Sequence, residues 1–177
     1  MAFDHGGARR LILMRHAKSL WPEGVPDSER PLGERGIADA TAAGPILAAI
    51  ADLAAPDVVL CSPALRTRQT WRLVAPALTD PPRVRFEPLI YGADVDELLD
   101  LIRSVPDEAG TVLVLGHEPT MSSTATLIAG PGSAVADLAR LRTKYPTSGT
   151  AVFRATGRWA DLGGESVALE RFLVPRG

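Results

Sequence analysis

Short uninterrupted apolar runs alternate along this chain with longer stretches in which apolar residues recur every three or four positions. Leu11 to Met14, Val58 to Cys61 and Thr111 to Leu115 are the clearest of the short runs. A run of that length without polar alternation fits a strand covered on both faces. Between the first two, Glu34 to Ala55 places apolar or small residues at Ile37, Ala40, Gly44, Leu47, Ile50, Leu53 and Ala54, near helical spacing. Pro45 is expected to kink or interrupt that helix, and Pro56-Asp57 to end it. A second helix is expected from about Ala64 to near Pro76, with Ser62 as its N-cap and Pro63 at its first position. Val84 to Phe86 reads as a short strand, and Asp96 to Ser104 as a helix burying Leu98, Leu99, Leu101 and Ile102. Pro119 suits the first turn of a helix reaching about Ala129, Ala134 to Arg142 a further short helix, and Thr150 to Ala155 and Ser166 to Phe172 two last strands. This alternation predicts an α/β protein, a three-layer α/β/α sandwich with a mostly parallel central sheet. Residues 1–10 read as a flexible N-terminus with His5 exposed, and residues 11–177 as one domain.

Composition narrows the function. At 177 residues, with 46% hydrophobic and 23% charged, the chain has the balance of a globular domain with a sizeable core. A net charge of -2 provides no global basic field, so neither nucleic acid nor an anionic membrane is an expected partner. The single cysteine, Cys61, rules out an internal disulfide and a cysteine metal cluster, and favours a reducing compartment. The first ten residues lack the apolar core of a signal peptide, and no stretch is apolar enough to span a membrane, so the expected location is the cytoplasm.

The candidate chemistry lies where the apolar runs stop. The first ends in Arg15-His16, the second in Ser62-Pro63 with Arg66 one turn further on, and the third in Gly116-His117. Ligands of open parallel sheets bind at the carboxyl ends of strands. If these three strands are neighbours, two histidines and two arginines converge on one spot. Guanidinium forks match phosphate oxygens, and helix starts present free N–H groups to an anion. A neutral imidazole is a nucleophile toward phosphorus, a second can donate to the phosphoryl oxygens, and the arginines can neutralise charge on those oxygens. Such a design needs no metal or other cofactor.

Several of these segments together resemble the histidine phosphatase superfamily, which has the phosphoglycerate mutase-like fold. They are Arg15-His16-Ala17-Lys18-Ser19, Asp27-Ser28-Glu29-Arg30-Pro31-Leu32 with Glu34-Arg35-Gly36, Ser62-Pro63-Ala64-Leu65-Arg66-Thr67-Arg68-Gln69-Thr70, and Gly116-His117-Glu118-Pro119. The short chain, the Arg-Pro-Leu segment and Lys144 to Gly149 resemble its SixA-type phosphohistidine phosphatases. The resemblance implies that His16 takes the phosphoryl group as a covalent phosphohistidine, that Arg15, Arg66 and His117 hold its oxygens, and that water then releases phosphate. It implies a phosphohistidine protein as substrate, or else a small phosphorylated molecule. Two residues depart from the commoner pattern: Ala17 stands for Gly, and Glu118 for Asn.

The proton donor is less well marked. Larger members use a Glu between the second and third motifs. Glu87 is the nearest candidate here, although its surroundings equally fit a surface carboxylate beside a strand. An imidazole leaving group would lessen the need for an acid. Lys18, Ser19 and Trp21 are candidates for the rim of the site, while Asp27 and Arg30 are expected to pair with each other and shape their loop. Tyr91, Trp71 and Trp159 are read as packing residues. Cys61 is not a phosphatase nucleophile on this reading, because Thr67 stands where such chemistry needs an Arg. The alternatives are a small-molecule phosphomonoesterase and a non-catalytic phosphate-binding module. The presence of both His16 and His117 argues against the latter, since binding alone needs only cations.

Overall fold

The computed structural model describes residues 8–50 and 56–177. Leu53 and Ala54 of the expected first helix, and residues 1–7 of the expected flexible start, lie outside these. Six strands form one sheet: β1 (Arg9–Arg15), β2 (Val58–Cys61), β3 (Arg85–Phe86), β4 (Thr111–Gly116), β5 (Thr150–Ala155) and β6 (Ala168–Leu173). Five helices accompany them: α1 (Glu34–Ala48), α2 (Leu65–Val74), α3 (Val95–Arg103), α4 (Thr120–Ile128) and α5 (Val135–Thr143). The strand order is β3-β2-β4-β1-β5-β6. The β3–β2, β2–β4 and β4–β1 pairs are parallel, and the β1–β5 and β5–β6 pairs are antiparallel. Arg9 and Arg10, read from sequence as part of the flexible start, belong to β1.

Period-two alternation explains why the central strands are apolar throughout. Leu11 and Leu13 of β1, Val112 and Val114 of β4 and Leu60 of β2 enter one core with side chains of α3, α4 and α5, among them Leu98, Ile102, Met121 and Leu141. Ile12, Met14, Leu113, Leu115, Val59 and Cys61 enter a second core with Leu47 of α1 and Trp71 and Val74 of α2. Each strand is thus covered on both sides, which gives the three layers. Among the described residues no helix is long and apolar enough to cross a membrane.

Three helical readings need correction. The buried stripe of α1 is Gly36, Asp39, Ala40, Ala43, Gly44 and Leu47, while Ile37 is exposed. Small residues win these places because α1 lies close against α2: a Cβ on Gly44 would stand 2.8 Å from the Val74 carbonyl oxygen. Pro45 lies inside α1, which ends three residues later. Ser62 is not the N-cap of α2. Ala64 holds that position, and the Ser62 hydroxyl turns to His117. Helix α3 begins at Val95, one residue before the expected start, because Asp94 and Glu97 form a reciprocal capping box.

Candidate active site

The register of the sheet fixes the centre of the site. Arg15 of β1 stands beside Gly116 of β4, and Cys61 of β2 beside Leu115, so His16, Ser62 and His117 emerge from three adjacent strands at one level. The imidazoles of His16 and His117 lie 5.2 Å apart between ring centres. Both line a cavity of about 240 Å³, together with Arg15 and Arg66. Lys18, Ser19, Trp21, Arg30, Glu118 and Thr147 complete its lining. The four central residues expected from the sequence are therefore brought together, and so are the three expected rim residues.

His16 is held by backbone. Its amide donates to the Gly116 carbonyl and its own carbonyl accepts from the Ser148 amide. Ser148 is a fully buried residue at a φ of 61°, uncommon for a side chain other than glycine. The His16 Nδ1 lies 2.7 Å from the Ala17 carbonyl oxygen. A carbonyl only accepts, so Nδ1 carries the proton and the lone pair is on Nε2. The Ala17 amide donates to Thr70 Oγ1, whose hydroxyl donates to the Arg66 carbonyl, so α2 braces the turn after the nucleophile candidate. Burial chiefly, opposed by the Ala17 hydrogen bond and helped by the charges of Arg66 and Arg15, lowers the His16 pKa to about 3. Burial, then Arg66, lowers that of His117 to about 4. Both rings are neutral at neutral pH.

The two arginines are each anchored through their terminal nitrogens. Arg15 Nη1 donates to the Tyr145 carbonyl at 2.8 Å. Tyr145, fully packed, donates its hydroxyl to Leu13 and so ties that anchor to β1. Arg66 Nη1 and Nη2 donate to the carbonyl and Oδ2 of Asp27 at 2.6 and 3.0 Å. The Nε of each arginine is buried without a partner, as is Nδ1 of His117. Buried polar groups are nearly always satisfied. Arg9 and Arg68, outside the cavity lining, have the same unpartnered Nε, so this feature is not particular to the site.

Asp27 joins more than the sequence indicated. Its pairing with Arg30 is present, Oδ1 accepting from Nη1 at 2.7 Å, but it also grips Arg66 and accepts from the Tyr91 hydroxyl at 2.6 Å. The Tyr91 hydrogen bond first, then Arg30, holds the Asp27 carboxyl well below the usual carboxylate range. Tyr91 is thus a half-exposed hydrogen-bonding residue rather than a packing one. Arg30 also donates to Ser19 Oγ and the Leu20 carbonyl, and its guanidinium lies 3.1 Å over the Trp21 ring. Trp71 and Trp159 are buried as expected. Glu87 does not line the cavity. It accepts from Arg85 at 2.7 Å instead, because the β3 edge offers that cation two residues away. Burial pushes the Cys61 thiol up to about 12, which keeps it from being a nucleophilic thiolate. The Ser62–His117 contact, 2.7 Å from Oγ to Nε2, went unread in the sequence, although Ser62 opens the longest motif there.

A mostly parallel α/β sheet with two imidazoles and two guanidiniums around a cavity at its carboxyl edge has the makings of a phosphoryl site. The sequence model of the Histidine phosphatase superfamily (branch 1) matches residues 11–89. An uncharacterised protein of Mycobacterium tuberculosis, Rv1276c, is 46% identical over 166 residues, covering 92% of this chain and 100% of that one. A proposed phosphohistidine phosphatase SixA of Nakamurella multipartitia is 39% identical with a TM-score of 0.80, covering 96% of this chain and 97% of that one. Another, from Agrobacterium tumefaciens, is 31% identical with a TM-score of 0.78, covering 96% and 99%. The chain belongs to the histidine phosphatase superfamily, on its SixA-type side, and is a hydrolase of that phosphatase class.

Proposed function

We propose that this phosphatase passes the phosphoryl group through His16 Nε2 without a metal, and that its substrate is a phosphohistidine in a protein. The observation that carries the reading is the His16 ring itself. It is neutral, its tautomer is set by the Ala17 carbonyl, and it shares a cavity with His117, Arg15 and Arg66. In the first step Nε2 attacks phosphorus and the bond to the leaving imidazole breaks, its electron pair being taken up by that imidazole as it is protonated. In the second, water attacks the phosphohistidine, the P–N bond breaks and His16 regains its lone pair. Arg15 and Arg66 supply positive charge to the oxygens. His117, held by a hydrogen bond between its Nε2 and Ser62 Oγ, completes the cradle.

The protein substrate is supported by the likeness to SixA proteins and by the position of Glu87. That carboxylate lies away from the cavity, and a leaving imidazole needs an acid less than an alkoxide does. The test is phosphate release in EDTA by wild type and His16→Ala, from a phosphohistidine protein and from a generic phosphomonoester. Wild-type release from the phosphohistidine protein alone, lost in His16→Ala, is expected. Release by both proteins contradicts His16 as nucleophile. A strong preference for the monoester contradicts the substrate, and release from neither leaves a binding module.

A further inference from the structure

The lining of the cavity holds four cationic side chains and, among the described residues, one carboxylate, Glu118. It stands where the family resemblance has Asn, so this chain carries a negative charge where an amide is commoner. The carboxylate is fixed in place. Oε1 accepts from the Ser122 amide at 2.9 Å, in the first turn of α4, and the residue is half-buried. The cations around it are mostly committed. Arg66 and Arg30 already face Asp27. Lys18 is exposed, where water and salt screen it. The charge of Glu118 reaches Arg15, whose pKa it raises against the larger lowering by burial.

We propose that Glu118 selects substrates by charge, favouring a phosphoryl group whose neighbouring atoms are cationic and disfavouring one beside a carboxylate. The inference rests on the cavity being a phosphoryl site. The phosphoryl oxygens meet Arg15, Arg66 and His117, and the group attached to phosphorus meets the half-buried carboxylate. A protonated imidazole or ammonium beside phosphorus gains from it, and an acid such as a phosphorylated hydroxy acid is repelled. Gln at this position keeps an oxygen for the Ser122 amide and removes only the charge.

Binding reads this directly. Phosphocholine and phosphoglycolate carry the same phosphate beside opposite charges. Their dissociation constants are measured by calorimetry, with inorganic phosphate as reference, on His16→Ala and on His16→Ala with Glu118→Gln. His16→Asn replaces His16→Ala if the latter does not fold. The Gln substitution is expected to weaken phosphocholine and tighten phosphoglycolate, moving their ratio about tenfold, as a single charge a few ångströms away does in a partly screened site. Inorganic phosphate changes less than either, and Glu118→Asp keeps the original preference. A ratio unchanged within about twofold, or moved the other way, overturns the selection by Glu118 and leaves the phosphatase reading intact. Failure of all three ligands to bind overturns the phosphoryl site, and the selection with it.

Discussion

Arg66 gives both terminal nitrogens of its guanidinium to Asp27, one to the backbone carbonyl and one to the carboxylate. Asp27 therefore fixes where the Arg66 guanidinium lies, although it does not line the cavity. In Asp27→Asn the carbonyl contact survives and the charged one is lost. A fall in kcat/KM of roughly 10- to 100-fold is expected from misplacing the cation, together with a lower melting temperature, because Arg66 and Arg30 are buried and lose their charged partner. Tyr91→Phe removes one further bond to the same carboxylate and should show the same effect more weakly. Steady-state kinetics on both variants checks this, and wild-type kcat/KM in Asp27→Asn would refute it.

The buried histidines make an acid limb in stability. Their folded pKa values, about 3 for His16 and about 4 for His117, lie below the ordinary 6.5. Between pH 6.5 and 4 the unfolded chain therefore binds protons that the folded one does not, and stability falls as pH falls. Each histidine contributes up to about 1.4 kcal/mol per pH unit across its window. The Asp27 carboxylate adds its own loss only at lower pH, because its folded pKa is depressed from 3.8. Denaturant unfolding at pH 7, 6, 5 and 4 should show the decline, and His16→Gln and His117→Gln should each flatten it. A slope that is the same in both variants as in wild type would assign the acid limb to other groups.

Gly36 is the point at which α1 touches the loop bearing the cavity wall. A Cβ there would overlap the Lys18 carbonyl oxygen, which is backbone and cannot swing away. Gly36→Ala should therefore cost about 1–3 kcal/mol, as overpacking does. In a domain of this size that lowers the melting temperature by roughly 2–10 °C. Because the displaced loop carries Lys18, Ser19 and Trp21 into the cavity, activity should fall as well. Calorimetry together with turnover tests both, and a variant as stable and active as wild type would show that the loop yields freely.

Much of this was legible in the chain, for a physical reason. Strands buried on both faces must be apolar runs, so β1, β2 and β4 stand out, and the first polar residues after them, His16, Ser62 and His117, mark the site. Helix α1 was harder to read. Its inward face is built from Gly36, Ala40, Ala43 and Gly44, chosen for close approach and not for hydrophobicity, so the exposed Ile37 was misleading. The supports of the site were also hidden. Asp27 meets Arg66 and Tyr91 across 39 and 64 residues, and Arg15 meets Tyr145 across 130, so only the folded chain brings them together. Glu87 was found by its place in the order of motifs, whereas its neighbour Arg85 decides where it points.

The proposed reaction turns on a covalent phosphohistidine at His16. Wild type and His16→Ala are mixed with a phosphohistidine protein labelled in its phosphoryl group, quenched within milliseconds in alkali and mapped by mass spectrometry. A label on His16 that survives alkali and is lost in acid, absent from His16→Ala together with turnover, is the predicted result. A wild-type enzyme that turns over with no label on His16, or a His16→Ala variant that retains turnover, would contradict it.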